Sequence, residues 1–238
     1  MIDLRRGRWQ EALAGVGAVS AVICDPPYSA KTHETQAAST ARVMPDGADR
    51  RTINYACWTP ADVREFVEFW SPRCSGWMAT MTDSELVPAW QQAYRDVGRL
   101  TFAPVVIIQD RVRLSGDGPA SCAVYLVVAR PRSQEFQRWG ALPGWYRAGT
   151  ERDGHIGGKP LSLMHRLIVD YSRPGDIVCD PCAGYGTTLV AAYDHGRQSI
   201  GSECDLETYL KAKERVDLAL RQLSLFAPAP KPEQSKLF

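Results

Sequence analysis

Asp25-Pro26-Pro27-Tyr28 stands directly behind the apolar run Ala18–Cys24, and its residue types carry the sharpest chemistry in the chain. Two prolines fix the backbone and remove two N–H groups, which leaves nearby carbonyls without competing donors. A carboxylate oxygen and a proline carbonyl placed there can both accept from one exocyclic amine. Such an amine is a poor nucleophile because its lone pair is delocalised into the ring. Accepting both of its N–H bonds favours a pyramidal nitrogen whose lone pair points at an electrophile. Tyr28 can stack on the ring, a contact worth roughly 1–3 kcal/mol. The competing reading is a plain Asp-Pro-Pro turn that closes a buried strand.

A second group runs Asp180-Pro-Cys182-Ala-Gly184-Tyr-Gly186-Thr187-Thr188. A strand ending in an acid, a Gly-x-Gly turn and then a helix is how α/β folds hold a nucleoside cofactor. The glycines admit a ligand close to the backbone, and the helix start, with Thr187 and Thr188, can bind a carboxylate or phosphate. Glu203 follows Asp180 by 23 residues, near the roughly 20-residue interval at which an acid meets ribose hydroxyls. The third glycine of the dinucleotide fingerprint is replaced by Leu189, which disfavours a nicotinamide oxidoreductase. Cys179 and Cys182 have CxxC spacing, but Cys204 and His195 lack the paired spacing that would complete a zinc site. No metal is expected.

These groups need elements to hold them. Short apolar runs alternate with helical stretches, which predicts an α/β fold with a mostly parallel sheet. Strands are expected at 18–24, 76–81, 105–108, 123–129, 177–180 and 198–203. Helices are expected from Thr59, with Pro60 at the first helical position, to about Trp70, then over 84–98, 159–171, 187–195 and 206–223. Residues 29–57 read as a loop.

Composition sets the bounds. The chain has 238 residues, 45% hydrophobic and 23% charged, with 28 Lys and Arg against 27 Asp and Glu. That suits one globular domain of ordinary core size. A net charge of +1 argues against indiscriminate coating of nucleic acid but leaves room for a local basic face. No apolar run approaches a membrane span, and the arginine-rich start is followed by no signal-peptide core. Seven scattered cysteines fit a reducing, cytoplasmic setting.

Taken together, the motifs make the chain resemble the amino-methylating DNA methyltransferases, in the permuted order where the catalytic motif Asp25–Tyr28 precedes the cofactor motif Asp180–Thr188. His155-Ile-Gly-Gly-Lys159-Pro160 looks like the family's His/Lys-Pro segment, which lines the methionine end of the cofactor. The resemblance implies a Rossmann-like S-adenosylmethionine-dependent methyltransferase with a mostly parallel sheet and helices on both faces. It implies a catalytic set of Asp25, Pro26, Pro27 and Tyr28. It also implies a cofactor set of His155, Lys159, Pro160, Asp180, Cys182, Gly184, Gly186, Thr187, Thr188, Glu203 and Cys204. Cys182 stands where the family carries an apolar residue against the cofactor. Arg8 of Arg6-Gly7-Arg8 replaces the family's adenine-binding acid, for which Asp3 is a candidate substitute. An Asp-first tetrad points to N6 of adenine, with N4 of cytosine as the alternative, in a bacterial or phage modification setting that includes restriction-modification.

No separate target-recognition domain fits the chain, so DNA contacts fall to the 29–57 loop, the 130–158 segment or a second subunit of a homodimer. Between 130 and 152, five arginines face two glutamates, with Phe136, Trp139, Trp145 and Tyr146 interleaved. Lys31, Arg132, Arg138 and Arg147 are the candidate DNA contacts. The competing reading is a loop pinned to the core by its aromatics. The methyltransferase domain is set at 1–223 and a flexible Pro-rich tail at 224–238. Gln222-Leu-Ser-Leu-Phe226 resembles the short peptide that docks on the bacterial sliding clamp, and a helix end packed on the body is the alternative. A catalytically silent DNA- or clamp-binding module is the remaining reading from another class.

Overall fold

The structure, a computed structural model, describes residues 1–32, 34, 56–113, 119, 121–137, 139–149 and 158–226, without the side chains of 110–113, 134, 137 and 222–226. In chain order the described elements are β1 (Ile2–Arg6), α1 (Trp9–Ala12), β2 (Ala21–Cys24), α2 (Pro60–Trp70), β3 (Met78–Thr82), α3 (Val87–Asp96), β4 (Leu100–Thr101) and β5 (Val105–Arg113). There follow β6 (Ser121–Arg130), α4 (Gln134–Gln137), β7 (Trp145–Arg147), α5 (Leu161–Tyr171), β8 (Ile177–Asp180), α6 (Thr187–Asp194), β9 (Gln198–Glu203) and α7 (Leu206–Phe226).

The strands form one sheet in the order β1-β9-β8-β2-β3-β6-β5-β7, with β4 beside β6. From β1 to β3 every pairing is parallel, and β6 then runs antiparallel to both β3 and β5. Period-two alternation inside β2 explains its position. Ala21 and Ile23 join a core with α5 and α6, while Val22 and Cys24 join a second core with α2 and α3. A strand buried on both faces reads as a continuous apolar run, as Ala21–Cys24 does.

Local sequence explains the boundaries of α2. Thr59 Oγ1 accepts from the backbone N–H of Asp62, whose carboxylate accepts in turn from the Thr59 N–H, with Pro60 in the first turn. This is a reciprocal cap worth on the order of 1 kcal/mol. Gly201 lets β9 approach β8, because a Cβ there would lie 2.6 Å from the Asp180 carbonyl oxygen.

Sheet order makes the site. The chain leaves β8 towards β9 on one side and β2 towards β3 on the other, so adjacent β8 and β2 flank a topological switch point. Ligands in open α/β sheets bind in the crevice beyond the carboxyl ends of such strands. Those ends carry Asp180 and Asp25.

Several features depart from the sequence expectation: α1, β4 and α4 fall outside it, and β5 runs on to Arg113. β1 pairs with β9 at one edge, although Asp3-Leu-Arg-Arg6 shows no apolar run. β7 forms inside the segment read as a loop. α7 continues to Phe226, past the expected boundary at 223, so the clamp-like peptide Gln222–Phe226 has helical backbone rather than an extended one. Residues 227–238 lie outside the described residues.

Candidate active site

Asp25 follows β2, and both of its oxygens are engaged. Oδ1 accepts from the Tyr28 hydroxyl at 2.8 Å, and Oδ2 forms an ion pair and hydrogen bond with Lys159 Nζ. Lys159 also lies 5.3 Å from the centre of the Tyr28 ring. Pro26 is buried, and among the described residues its carbonyl accepts no hydrogen bond. The chain leaving Tyr28 is anchored by Asp83, a residue the sequence did not single out. Its carboxylate accepts from Ser29 N at 2.9 Å, Ser29 Oγ at 2.5 Å, Thr32 Oγ1 at 2.6 Å and Leu86 N at 3.2 Å. Burial alone would raise the Asp83 pKa, but these bonds outweigh it and hold the carboxyl below its ordinary value.

A second cradle adjoins the first. Gly184 and Gly186 adopt left-handed φ values of 51° and 75°, which only glycine takes without strain. Gly184 N donates to Glu203 Oε2 at 3.0 Å, and Asp205 N donates to Oε1 at 2.8 Å. Glu203 therefore shapes the glycine turn from β9. Its pKa is raised because burial outweighs these bonds. A carboxylate has about four lone-pair sites, so both oxygens retain acceptor capacity towards ribose hydroxyls.

Several expected cofactor contacts serve the cradle from inside. Asp180 is 1% exposed and accepts from Cys182 N at 3.1 Å. Burial pushes its carboxyl up to about 7, despite bonds from Thr188, Cys24 and Cys182, with the Asp25 charge adding to the rise. Asp180 thus organises the turn rather than facing a ligand. Thr187 and Thr188 are also buried, with Thr187 Oγ1 accepting from Arg215 at 2.8 Å. What they leave to a ligand is the backbone at the start of α6. Cys179 is buried in β8, and Cys182 is half-buried against Cys24. Cys204 is exposed beside Glu203. Pro160 precedes α5. His155 lies outside the described residues. Asp3 does not reach the cradle, because its carboxylate is bound by Arg5 at 2.7 Å and its register partner is Ile200. Arg6 and Gly7, in contrast, adjoin Glu203, with Gly7 N donating to the Glu203 carbonyl. Arg8 is exposed.

Strand direction divides the proposed DNA contacts. β6 is antiparallel to β3, and Ala129 pairs with Met78 at the beginning of that strand. Arg130 and the residues after it therefore emerge at the end of the sheet opposite Asp25. Arg132 lies there, donating to the Gly98 carbonyl at 3.3 Å, which counts against its reading as a DNA contact. Phe136, Trp139 and Tyr146 pack as the structural alternative expects. Phe136 stacks on Trp139 at 5.4 Å, Trp139 Nε1 donates to the Asp170 carbonyl, and the buried Tyr146 donates to the Asp170 carboxylate. β7 then returns parallel to β5 and brings Arg147 to the Asp25 end, while Trp145 remains 60% exposed. Lys31 is at that end too, in an exposed ion pair with Glu85. Arg138 lies outside the described residues. The hairpin of β5 and β6 also reaches past the last β3 pair, Thr82 with Tyr125, and carries Arg111 and Arg113 along β5.

Fold and cradle define a Rossmann-like methyltransferase. A family model described as DNA methylase, of the N6/N4 type, matches residues 45–214, and the chain belongs to that family, whose cofactor is S-adenosylmethionine. The matched stretch begins after the Asp25–Tyr28 tetrad, so the tetrad stands on its own geometry. The Escherichia coli K12 protein YubD, named as a methylase, is 29% identical over 199 residues, covering 83% of this chain and 81% of YubD. The DNA adenine methyltransferase YhdJ of the same strain is 42% identical over 69 residues, 29% of this chain and 24% of YhdJ. A Thermus thermophilus protein named as a DNA modification methylase, solved with S-adenosyl-L-methionine, superposes with a TM-score of 0.61 at 21% identity, covering 92% of this chain and 94% of that one. The cradle fits such a cofactor: Glu203 offers acceptors for a ribose, Gly184 and Gly186 admit close approach, and the α6 backbone and Lys159 suit a carboxylate.

Proposed function

We propose that the protein methylates the N6 amine of adenine in DNA, with S-adenosylmethionine as methyl donor. When bound, this cofactor supplies an electrophilic methyl group on a sulfonium. The carrying observation is that Asp25, at the end of β2, adjoins the glycine cradle at the end of β8. Asp25 and the Pro26 carbonyl accept the two amine N–H bonds, which frees the nitrogen lone pair. Tyr28 stacks on a base extruded from the duplex. Such in-line transfer needs positioning and amine polarisation above all. The Asp-first tetrad and the similarity to YhdJ support adenine over the N4 amine of cytosine, which the family also covers.

DNA lies on the sheet end that carries Asp25, engaged by Lys31, Trp145, Arg147 and the β5–β6 hairpin. The protein works in the cytoplasm. No described helix is long and apolar enough to cross a membrane.

The test is methyl transfer to unmethylated genomic DNA, with nucleoside mass spectrometry to identify the product. N6-methyladenine is expected from the wild type and N4-methylcytosine would redirect the base assignment. Asp25→Ala should abolish transfer while cofactor binding survives, because the lost acceptor matters most in the transition state. Retention of more than about a tenth of kcat, equivalent to roughly 1.4 kcal/mol, rejects the catalytic role.

A further inference from the structure

Both oxygens of Asp25 are engaged. Tyr28 holds Oδ1 and Lys159 holds Oδ2, although the lysine lies 134 positions away in sequence. Both members of the ion pair are largely enclosed, with side chains 15% and 23% exposed. The acceptor that a target amine requires is therefore shared with a cation of the protein itself. Oδ2 keeps a lone pair, but the lysine's positive charge weakens it as an acceptor for a second N–H, so moving Lys159 away strengthens the hold on a target amine.

The following rests on the cofactor reading above. Transfer requires the reacting methyl to approach an amine that is itself hydrogen-bonded to Asp25. The cofactor's amino-acid carboxylate is joined to its sulfonium by a short carbon chain. A lysine touching Asp25 is consequently within reach of that carboxylate. We propose that Lys159 has two partners, Asp25 in the ligand-free protein and the cofactor carboxylate in the loaded protein. Cofactor binding thereby uncovers Asp25 for the target amine. Lys159 exchanges one carboxylate for another, so its charge is never left unpaired in a half-buried site. The carboxylate supplies the differential affinity that a ligand-driven shift requires. Lys159 is a positioning residue in this scheme, and it orders the two ligands: cofactor first, base second.

The experiment is calorimetric binding of S-adenosylhomocysteine. This probe keeps the carboxylate but lacks the sulfonium charge, so direct attraction between Asp25 and the sulfonium drops out. Asp25→Asn keeps the side-chain shape and an acceptor for Tyr28 but weakens the hold on Lys159. It should bind the probe about 3- to 10-fold more tightly than wild type, the range expected for releasing one partly screened ion pair. In a Lys159→Met background, the same Asp25→Asn change should leave affinity unchanged within about twofold. Lys159→Met alone should weaken binding. Melting temperatures confirm that each variant is folded. Unchanged or weaker binding by Asp25→Asn, or equal tightening with and without Lys159, overturns the exchange. Failure of the folded wild type to bind the probe refutes the cofactor reading, and this inference with it.

Discussion

Asp180 should make the protein less stable at neutral pH than a variant that cannot ionise there. Its carboxyl is buried at the end of β8 and pushed up to about 7, whereas an unfolded aspartate titrates near 3.9. The gap is roughly 3 units, and at 1.36 kcal/mol per unit the linkage amounts to about 4 kcal/mol. The sign follows from proton counting. Between about pH 4 and 7 the unfolded chain has lost a proton that the folded protein retains. Stability therefore falls as pH rises through that window, by up to about 1.4 kcal/mol per pH unit, and levels off above about 7.

Asp180→Asn removes this titration and keeps an acceptor for Cys182 N. The new amide cannot accept from both Thr188 and Cys24, which donate to the carboxylate, and re-pairing them costs about 1 kcal/mol. The net expectation at pH 8 is a gain of about 2–3 kcal/mol in unfolding free energy. Urea unfolding of both proteins from pH 4.5 to 8.5 measures it. The variant's advantage should widen up to about pH 7 and then hold. Glu203 and other titrating groups are common to both proteins, so the difference isolates Asp180. A difference that is flat with pH refutes the reasoning, as does a variant less stable than wild type at pH 8.

Glu203→Ala should weaken S-adenosylmethionine binding about 10- to 100-fold by calorimetry. It removes the acceptor that holds Gly184 N and, in the proposed complex, the ribose acceptors, at roughly 1.5–3 kcal/mol per charge-assisted bond; unchanged affinity removes Glu203 from the site. Gly201→Ala should destabilise the fold by about 1–3 kcal/mol through overpacking between β9 and β8, and an unaltered thermal midpoint contradicts that close approach. Arg147→Ala should lower the salt dependence of DNA binding by a slope of about 0.9, the value for one phosphate contact on duplex DNA. Arg132→Ala should leave the slope unchanged, and equal effects of the two would undo the division of this segment between the ends of the sheet.

The core strands were legible because burial on both faces demands an uninterrupted apolar run, and Ala21–Cys24 and Ile177–Asp180 are flanked by turn residues. α2 was legible because its cap is local: Thr59, Pro60 and Asp62 lie within four positions. β1 was not, because an edge strand is only half covered and can carry Asp3, Arg5 and Arg6 without burying them. β7 has three residues, with Tyr146 alone inward, and no period shows at that length. In the site, the glycine turn and Glu203 were readable from order and spacing. The roles of Asp180, Thr187 and Thr188 inside the turn were not, since sequence cannot tell which side of a loop an oxygen faces. The Lys159–Asp25 pair and the Asp83 anchor arise only when distant strands and helices meet.

The basic segment 130–158 shows why composition alone does not place a DNA surface. Charge and aromatic content describe a stretch of chain, but the proposed DNA surface is one end of a sheet. Here β6 runs against β3 and β7 runs with β5, so one stretch touches both ends. Its first part, around Arg132, Phe136 and Trp139, seals the floor of the sheet, where stacked rings and the Asp170 carbonyl consume its aromatic surface. Its later part returns upward through Trp145 and Arg147 to the end of the sheet that carries the Asp25 carboxylate. The same strand directions set the β5–β6 hairpin beside the site, although nothing in Val105–Arg113 distinguishes it from an ordinary strand. Parallel strands gather their loops at one end, and a single antiparallel strand sends its exit to the other. Under the proposed function, direction rather than local charge therefore decides which arginines can share a DNA duplex with Asp25.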